Sequence, residues 1–156
     1  MEQRGISLHR VGKRFGDKQV LSDINIDFRQ GTIHSIVGEN GAGKSTLMNI
    51  LSGVLSPTEG TVMLDGKPCR FTGPDDSIQA GIGMVYQHFM LIPTLSVWKN
   101  VILGAETVKL GWIQEKRAKE QIRNIQQLYG ISLNLDDQVG NLTVGEQQRV
   151  EILKVL

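Results

Sequence analysis

The stretch Gly38-Glu39-Asn40-Gly41-Ala42-Gly43-Lys44-Ser45-Thr46 satisfies the pattern G-x-x-x-x-G-K-[ST] at every fixed position. The apolar run at residues 33–37 ahead of it predicts a buried strand, and residues 46–51 behind it predict a helix. That is the strand, loop and helix context a phosphate-binding loop needs, and it restricts the chain to an α/β architecture.

The residue types follow from the chemistry. Glycines at 38, 41 and 43 allow positive φ, so that consecutive backbone N–H groups can point at the oxygens of a polyphosphate. The helix then opens with its positive dipole end toward the same anion. Lys44 supplies a point charge for the β- and γ-phosphates, and the Ser45 hydroxyl is an oxygen ligand of the kind Mg²⁺ takes. The plain alternative is a glycine-rich turn capping a helix, with Lys44 solvated. A dinucleotide fingerprint needs G-x-G-x-x-G, whereas this loop runs G-x-x-G-x-G before its lysine, which argues against a nicotinamide or flavin site.

Composition narrows the class further. The chain has 156 residues, 40% hydrophobic and 21% charged, as expected of a soluble globular protein with one ordinary core. Lys and Arg number 17 against 16 Asp and Glu, a formal charge of +1, so no whole-chain field favours nucleic acid. No apolar run approaches the roughly 20 residues that span a bilayer, and the start Met1-Glu2-Gln3-Arg4 lacks the apolar region of a signal peptide, so a cytoplasmic chain is expected. Cys69 is the only cysteine, which leaves no internal disulfide and no cysteine cluster for zinc. His9, His34 and His88 have no metal-ligand spacing and are read as structural.

Along the chain, residues 6–11 alternate apolar and polar with a basic interruption before Val11. Residues 15–18 read as a turn, and 20–28 alternate again with a break at Ser22-Asp23. Two such strands joined by a tight turn predict an antiparallel sheet beside the loop. Gly53 suits a left-handed helix end, residues 61–71 predict a hairpin around Asp65-Gly66, 74–80 a short helix opened by proline, and 82–86 a further strand ending at Gln87. Beyond Gln87 the pattern becomes helical at 95–103 and 112–129, the latter with Ala118, Ile122, Ile125 and Tyr129 on one face. Residues 131–139 look polar and turn-like. A last helix is predicted over 143–156, with Val150, Leu153 and Leu156 as its apolar stripe. It opens with Thr143-x-x-Glu146, a capping box, whose cap contributes roughly 0.5–2 kcal/mol.

With the phosphate loop, Gln87 and residues 141–150 together, the chain resembles the ATP-binding subunit of ATP-binding-cassette transporters, from about Ile6 to the last residue. Leu142-Thr143-Val144-Gly145-Glu146-Gln147 stands where that family carries Leu-Ser-Gly-Gly-Gln. Thr143 keeps the hydroxyl, Val144 replaces a glycine and Glu146 replaces the glutamine. This variant is similar to that of importers for simple sugars and nucleosides, and residues 84–90 look most like the nucleoside type. The resemblance implies a P-loop NTPase cassette with an antiparallel β subdomain and a helical subdomain, incomplete at the C-terminus. Residues 4–87 would form the β and nucleotide-binding part, and 88–156 the helical part with the signature helix.

It also implies roles. Residues 38 to 46 (Gly38, Glu39, Asn40, Gly41, Ala42, Gly43, Lys44, Ser45, Thr46) would hold ATP, Phe15 would stack on adenine with Val20 beside it, and Ser45 and Gln87 would contact Mg²⁺. Gln87 would also meet the attacking water, and Leu142 to Gln147 would meet the nucleotide of a second cassette packed head to tail. Implied partners are that cassette, membrane permease subunits and, indirectly, an external substrate-binding protein, with no nucleic acid. The place implied is the cytoplasmic face of the cell membrane. The family's next elements, an apolar strand ending in Asp-Glu, a second Asp and a late histidine, do not occur in these 156 residues. The chain is therefore read as the N-terminal cassette fragment of a transport ATPase, weakened in binding and close to inactive in hydrolysis by itself. Two other readings stand beside it: a non-hydrolysing nucleotide-binding or degenerate module, and a soluble cassette ATPase with no part in transport.

Overall fold

The computed structural model describes residues 5–104, 108–109 and 112–156. The amino-terminal residues 1–4, read above for a signal segment, lie outside them. The chain divides into two compact units, residues 1–83 and 84–156.

In the first unit, β1 (Gly5–Phe15) and β2 (Lys18–Arg29) form a long antiparallel hairpin. β3 (Glu59–Leu64) pairs with the other edge of β1, and β4 (Lys67–Cys69) with β3, giving the order β2-β1-β3-β4. The two breaks in the sequence alternation are bulges. Arg10 and Asp23 adopt φ of 50° and 49°, and the β1–β2 register shifts between Leu8 and Val11. Asn25 staples both, accepting the Arg10 N–H at 2.9 Å and donating to the Asp23 carbonyl at 2.9 Å. Bulges bend and twist a strand, so the alternation resumes one residue out of step and keeps Leu8, Val11 and Leu21 in the core. The β3–β4 turn uses Asp65 and Gly66, both at positive φ, the two-residue geometry that matches strand twist.

α1 (Lys44–Leu51) presents Leu47, Ile50 and Leu51 to this sheet, the i, i+3, i+4 stripe of an amphipathic helix. It ends as expected: Gly53 takes φ 74°, and its N–H bonds the Ile50 carbonyl at 3.2 Å. α2 (Pro74–Gln79) follows, opened by Pro74.

Two expected strands do not form. Residues 33–37 and 82–86 carry no regular structure, and Ile33 and Val37 are 97% and 91% exposed. The apolar run is right for a strand buried on both faces, but burial requires neighbours that pair with its N–H and C=O groups. Among the described residues no segment pairs with either run. Only Ile36 and Ile82 reach the core, as partly buried members.

The second unit is helical: α3 (Val97–Ile102), α4 (Glu115–Tyr129) and α5 (Val144–Val155), with a 3-10 turn at Val139–Asn141. Its core joins Val97, Trp98, Ala118, Ile122, Leu135, Val139, Val150 and Leu153. Three expectations need correction. Trp112 does not start α4, since Trp112–Ile113 pairs with Val108–Lys109 as a short ribbon (β6 and β5). On α4 the buried residues are Ala118, Ile122 and Gln126, while Tyr129 is 56% exposed: the 3.6-residue period keeps it on the same face, but it is the last residue of the helix. On α5 it is Glu151, not Leu156, that joins Val150 and Leu153 inside. The stretch 131–139, polar in sequence, is pinned by Leu135 and Val139 and by a Ser96–Gln138 bridge.

Candidate functional site

The phosphate loop is built between β2 and α1. Gly41 and Gly43 adopt φ of 86° and 91°, as expected, but Gly38 does not take positive φ. A side chain at Gly38 would stand 3.3 Å from the Ala42 Cβ, so close approach is what a small residue answers there. Gly43 is more tightly held. A Cβ there would lie 2.7 Å from Leu21 Cδ2 and 3.1 Å from the Val20 carbonyl. The end of the loop therefore rests on β2, at Val20 and Leu21.

The Leu47 N–H closes the first turn of α1 on the Gly43 carbonyl at 2.9 Å. The N–H groups of Lys44, Ser45 and Thr46 precede any carbonyl the helix itself offers, so they are donors for a ligand or water. No acidic residue occupies this first turn, and no side chain caps it. The Lys44 ammonium donates to the carbonyls of Gly38 at 2.6 Å and Glu39 at 2.7 Å. An ammonium has three donors, so one remains, and the charge is already placed over the loop. Ser45 is exposed at the loop mouth. Among the described residues no group of three or more His, Cys, Asp or Glu stands ready for a metal. Mg²⁺ keeps several waters and takes one or two protein oxygens with substrate phosphates, and the exposed Ser45 hydroxyl is one such oxygen. The donor set present therefore fits MgATP.

Phe15 lies at the end of β1, opposite Lys18, and is 48% exposed. The Lys13 ammonium stands 5.3 Å from its ring centroid, and Lys13 also donates to the Ser56 carbonyl at 2.6 Å. A half-open aromatic face at the sheet edge can stack a planar base. His34, by contrast, ties the end of β2: its Nε2 accepts the Arg29 N–H at 3.2 Å, and its ring meets Phe28 edge-on.

The second unit carries Gln87 and the signature stretch. Gln87 lies in irregular backbone. Thr143 is the N-cap of α5, and its box is complete. The Glu146 N–H reaches Thr143 Oγ1 at 3.4 Å, while Glu146 Oε2 accepts the Thr143 N–H at 2.8 Å and the Thr143 hydroxyl at 2.7 Å. Gln147 turns inward and donates to the carbonyls of Val139 and Leu142 at 3.1 and 3.2 Å, which fixes the approach to the helix. Val144 is 72% exposed, so the residue that replaces the family's glycine stands outward.

The Thr143 hydroxyl, then its backbone N–H, and more weakly Arg149, hold the Glu146 carboxyl below its ordinary value. A group whose folded pKa is depressed contributes stability that is full above its unfolded value and is lost as pH falls through the folded one. The first turn of α5 is thus expected to loosen as pH drops below about 4, the usual carboxylate value. In a Glu146→Gln variant the exchange of the α5 amides should lose that acid dependence. An unchanged acid profile would show that Glu146 is not the group responsible.

A phosphate loop on an antiparallel sheet, with a helical unit whose last helix opens at a capped signature stretch, is the arrangement of an ATP-binding cassette. The solved structures agree. A nucleotide-free ATP-binding cassette from an ABC transporter matches with a TM-score of 0.83 and 27% identity, over 99% of this chain and 64% of its own. CbiO1 of Clostridium perfringens, part of the ABC transporter complex CbiONQ, matches at 0.80 and 28%, over 99% and 61%. The chain belongs to the ABC transporter family, whose profile matches residues 21–156. It is 47% identical over 151 residues to the nucleoside import ATP-binding protein NupA of Lactococcus lactis, covering 97% of this chain and 30% of that protein. Over the same shares it is 41% identical to the guanosine import ATP-binding protein NupO of Bacillus subtilis and 39% identical to the ribose import ATP-binding protein RbsA 2 of Escherichia coli O157:H7. The chain spans about 30% of the length of these curated relatives.

Proposed function

We infer that this chain is the ATP-binding part of an importer for nucleosides or simple sugars, in which ATP binding and hydrolysis drive uptake across a membrane. One observation carries the reading: 47% identity to a nucleoside import ATP-binding protein over 151 residues, a span that includes both the phosphate loop and the signature stretch. Residues 4–87 form the nucleotide-binding part and 88–156 the helical part; the two compact units divide close by, between residues 83 and 84. The loop N–H groups from 38 to 46 and the Lys44 ammonium hold the β- and γ-phosphates, and Phe15 with Val20 takes the adenine. Ser45 and Gln87 supply oxygens to Mg²⁺, which when bound neutralises charge on the phosphates. Gln87 also orients the attacking water. The outward face of Leu142 to Gln147, at the positive end of α5, addresses the γ-phosphate on a second cassette.

Partners of this reading are that second cassette, permease subunits and, through them, an external binding protein. The protein works at the cytoplasmic face of the membrane; among the described residues no helix is long and apolar enough to cross it. Turnover is ascribed to the longer polypeptide in which acidic residues complete the site. The relatives named for nucleosides favour that substrate class over ribose. In cells lacking the gene, uptake of labelled guanosine or adenosine is expected to vanish while ribose uptake persists. Unimpaired nucleoside uptake would sink the assignment, and loss of ribose uptake alone would move it to sugars.

A further inference from the structure

α5 carries a second acid that its cap does not use. Glu151 is 2% exposed, in the midst of Val150 and Leu153. Its Oε1 accepts the Met90 N–H at 2.6 Å. Three residues on, the Lys154 ammonium donates to the Met90 carbonyl at 3.2 Å. Positions three apart lie on one face of a helix, so a single face of α5 grips both polar groups of one residue's backbone. A buried carboxylate is costly unless it is bonded, and an apolar side chain of similar size would fill the same space without that cost. What the acid adds is a strong acceptor aimed at one amide.

The neighbouring backbone is held from a different helix. Asn100 of α3, 0% exposed, accepts the Ile92 N–H at 2.8 Å and donates to the Ile92 carbonyl at 3.0 Å. The irregular segment that follows Gln87 is thus fixed to α5 at Met90 and to α3 at Ile92. Only His88 and Phe89 separate Gln87 from the first of these anchors.

We propose that Glu151, with Lys154, is a positioning residue that ties the Gln87 segment to the signature helix, so that the two shift together when nucleotide engages either. This rests on the roles given above to Gln87 and to Leu142–Gln147. It assigns Glu151 no contact with substrate. A displacement of Gln87 is carried through two residues to Met90, and from Met90 through two hydrogen bonds to α5, at whose start Thr143 stands.

The test uses the polypeptide as the cell makes it, with ATP affinity, turnover and amide exchange at Met90 measured together. Glu151→Leu should speed Met90 exchange and lower kcat roughly tenfold, the scale of a lost coupling, while the Kd for ATP stays within about twofold. Glu151→Gln keeps an amide oxygen for the Met90 N–H and should restore most of the turnover. Normal turnover in Glu151→Leu despite accelerated Met90 exchange overturns the proposal, as does an equal loss in the leucine and glutamine variants. Should Glu151→Leu fail to fold, Lys154→Met, at a half-exposed position, carries the test: turnover should fall about threefold with Kd unchanged, and no loss overturns the coupling. Absence of MgATP binding in the wild-type protein is a separate result, which removes the functional reading and this proposal with it.

Discussion

Lys44→Ala is expected to remove the stabilisation of this protein by MgATP. A ligand at one hundred times its Kd stabilises a folded protein by about 2.7 kcal/mol. For a chain of this size that corresponds to a rise in Tm of roughly 5–10 °C. The Lys44 ammonium is within 2.7 Å of two carbonyls of the loop, so its charge is fixed where the phosphates would sit rather than swinging in solvent. A charged hydrogen bond of this kind contributes about 1.5–3 kcal/mol, enough to weaken binding up to roughly a hundredfold. At the same ATP concentration the ligand would then stand near its Kd, and the stabilisation would fall to about 0.4 kcal/mol, below what a melting curve resolves. The variant also loses the two bonds to the Gly38 and Glu39 carbonyls. A change in the ligand-free melting point therefore has to be measured first and subtracted. If Lys44→Ala keeps the full MgATP shift, Lys44 is not a phosphate contact, and the anion must rely on the α1 amides alone.

What was legible in the sequence was local chemistry. The capping box at Thr143 and Glu146, the Asp65-Gly66 turn and the helix end at Gly53 all depend on residues within a few positions of one another and form as read, while α1 follows the loop as expected but opens at Lys44, two residues before Thr46. Even the two irregularities in the alternation, at Arg10 and at Asp23, are places where the backbone turns to positive φ. What failed depended on distant partners. Residues 33–37 have the composition of a buried strand, but composition does not supply the neighbouring strand that would bury them. Leu135 and Val139 were hidden in a polar stretch because their burial is decided by contact with α3, α4 and α5, not by any periodicity of their own. Glu151 escapes the periodicity for the opposite reason. It lies between Val150 and Ile152, beside the apolar stripe through Val150 and Leu153, and that flanking is the one local sign of its burial. Its partner, sixty-one positions earlier, has no mark in the sequence at all. The candidate site divides along the same line: the phosphate loop is a contiguous motif, whereas the support of the Gln87 segment comes from α3 and α5.

Gly60→Ala is expected to cost the first unit more than about 3 kcal/mol of stability. Gly60 stands in β3 at φ 79°, opposite the bulge of β1, where the register shifts between His9 and Gly12. A Cβ there would come within 2.2 Å of the Arg10 carbonyl oxygen, 2.4 Å of its carbon and 2.5 Å of the His9 oxygen. All three are backbone atoms, so no side chain can swing aside. The left-handed conformation alone costs a residue with a Cβ about 1–2 kcal/mol. Moving β1 away from β3 would further break the pairing that holds Leu8 opposite Val62, two residues at the centre of the core. Together these place the loss above about 3 kcal/mol, among the large effects that a named steric cause is needed to explain. Gly66→Ala is the control. Gly66 has a similar φ of 73° but nothing within 4 Å of the added atom, so it should lose only the conformational part, about 1–2 kcal/mol. Urea unfolding of the two variants separates the explanations. A loss at Gly60 no larger than that at Gly66 would mean that the bulge relaxes freely, and that the sheet does not hold β2 and the phosphate loop as rigidly as the close packing at Gly43 indicates.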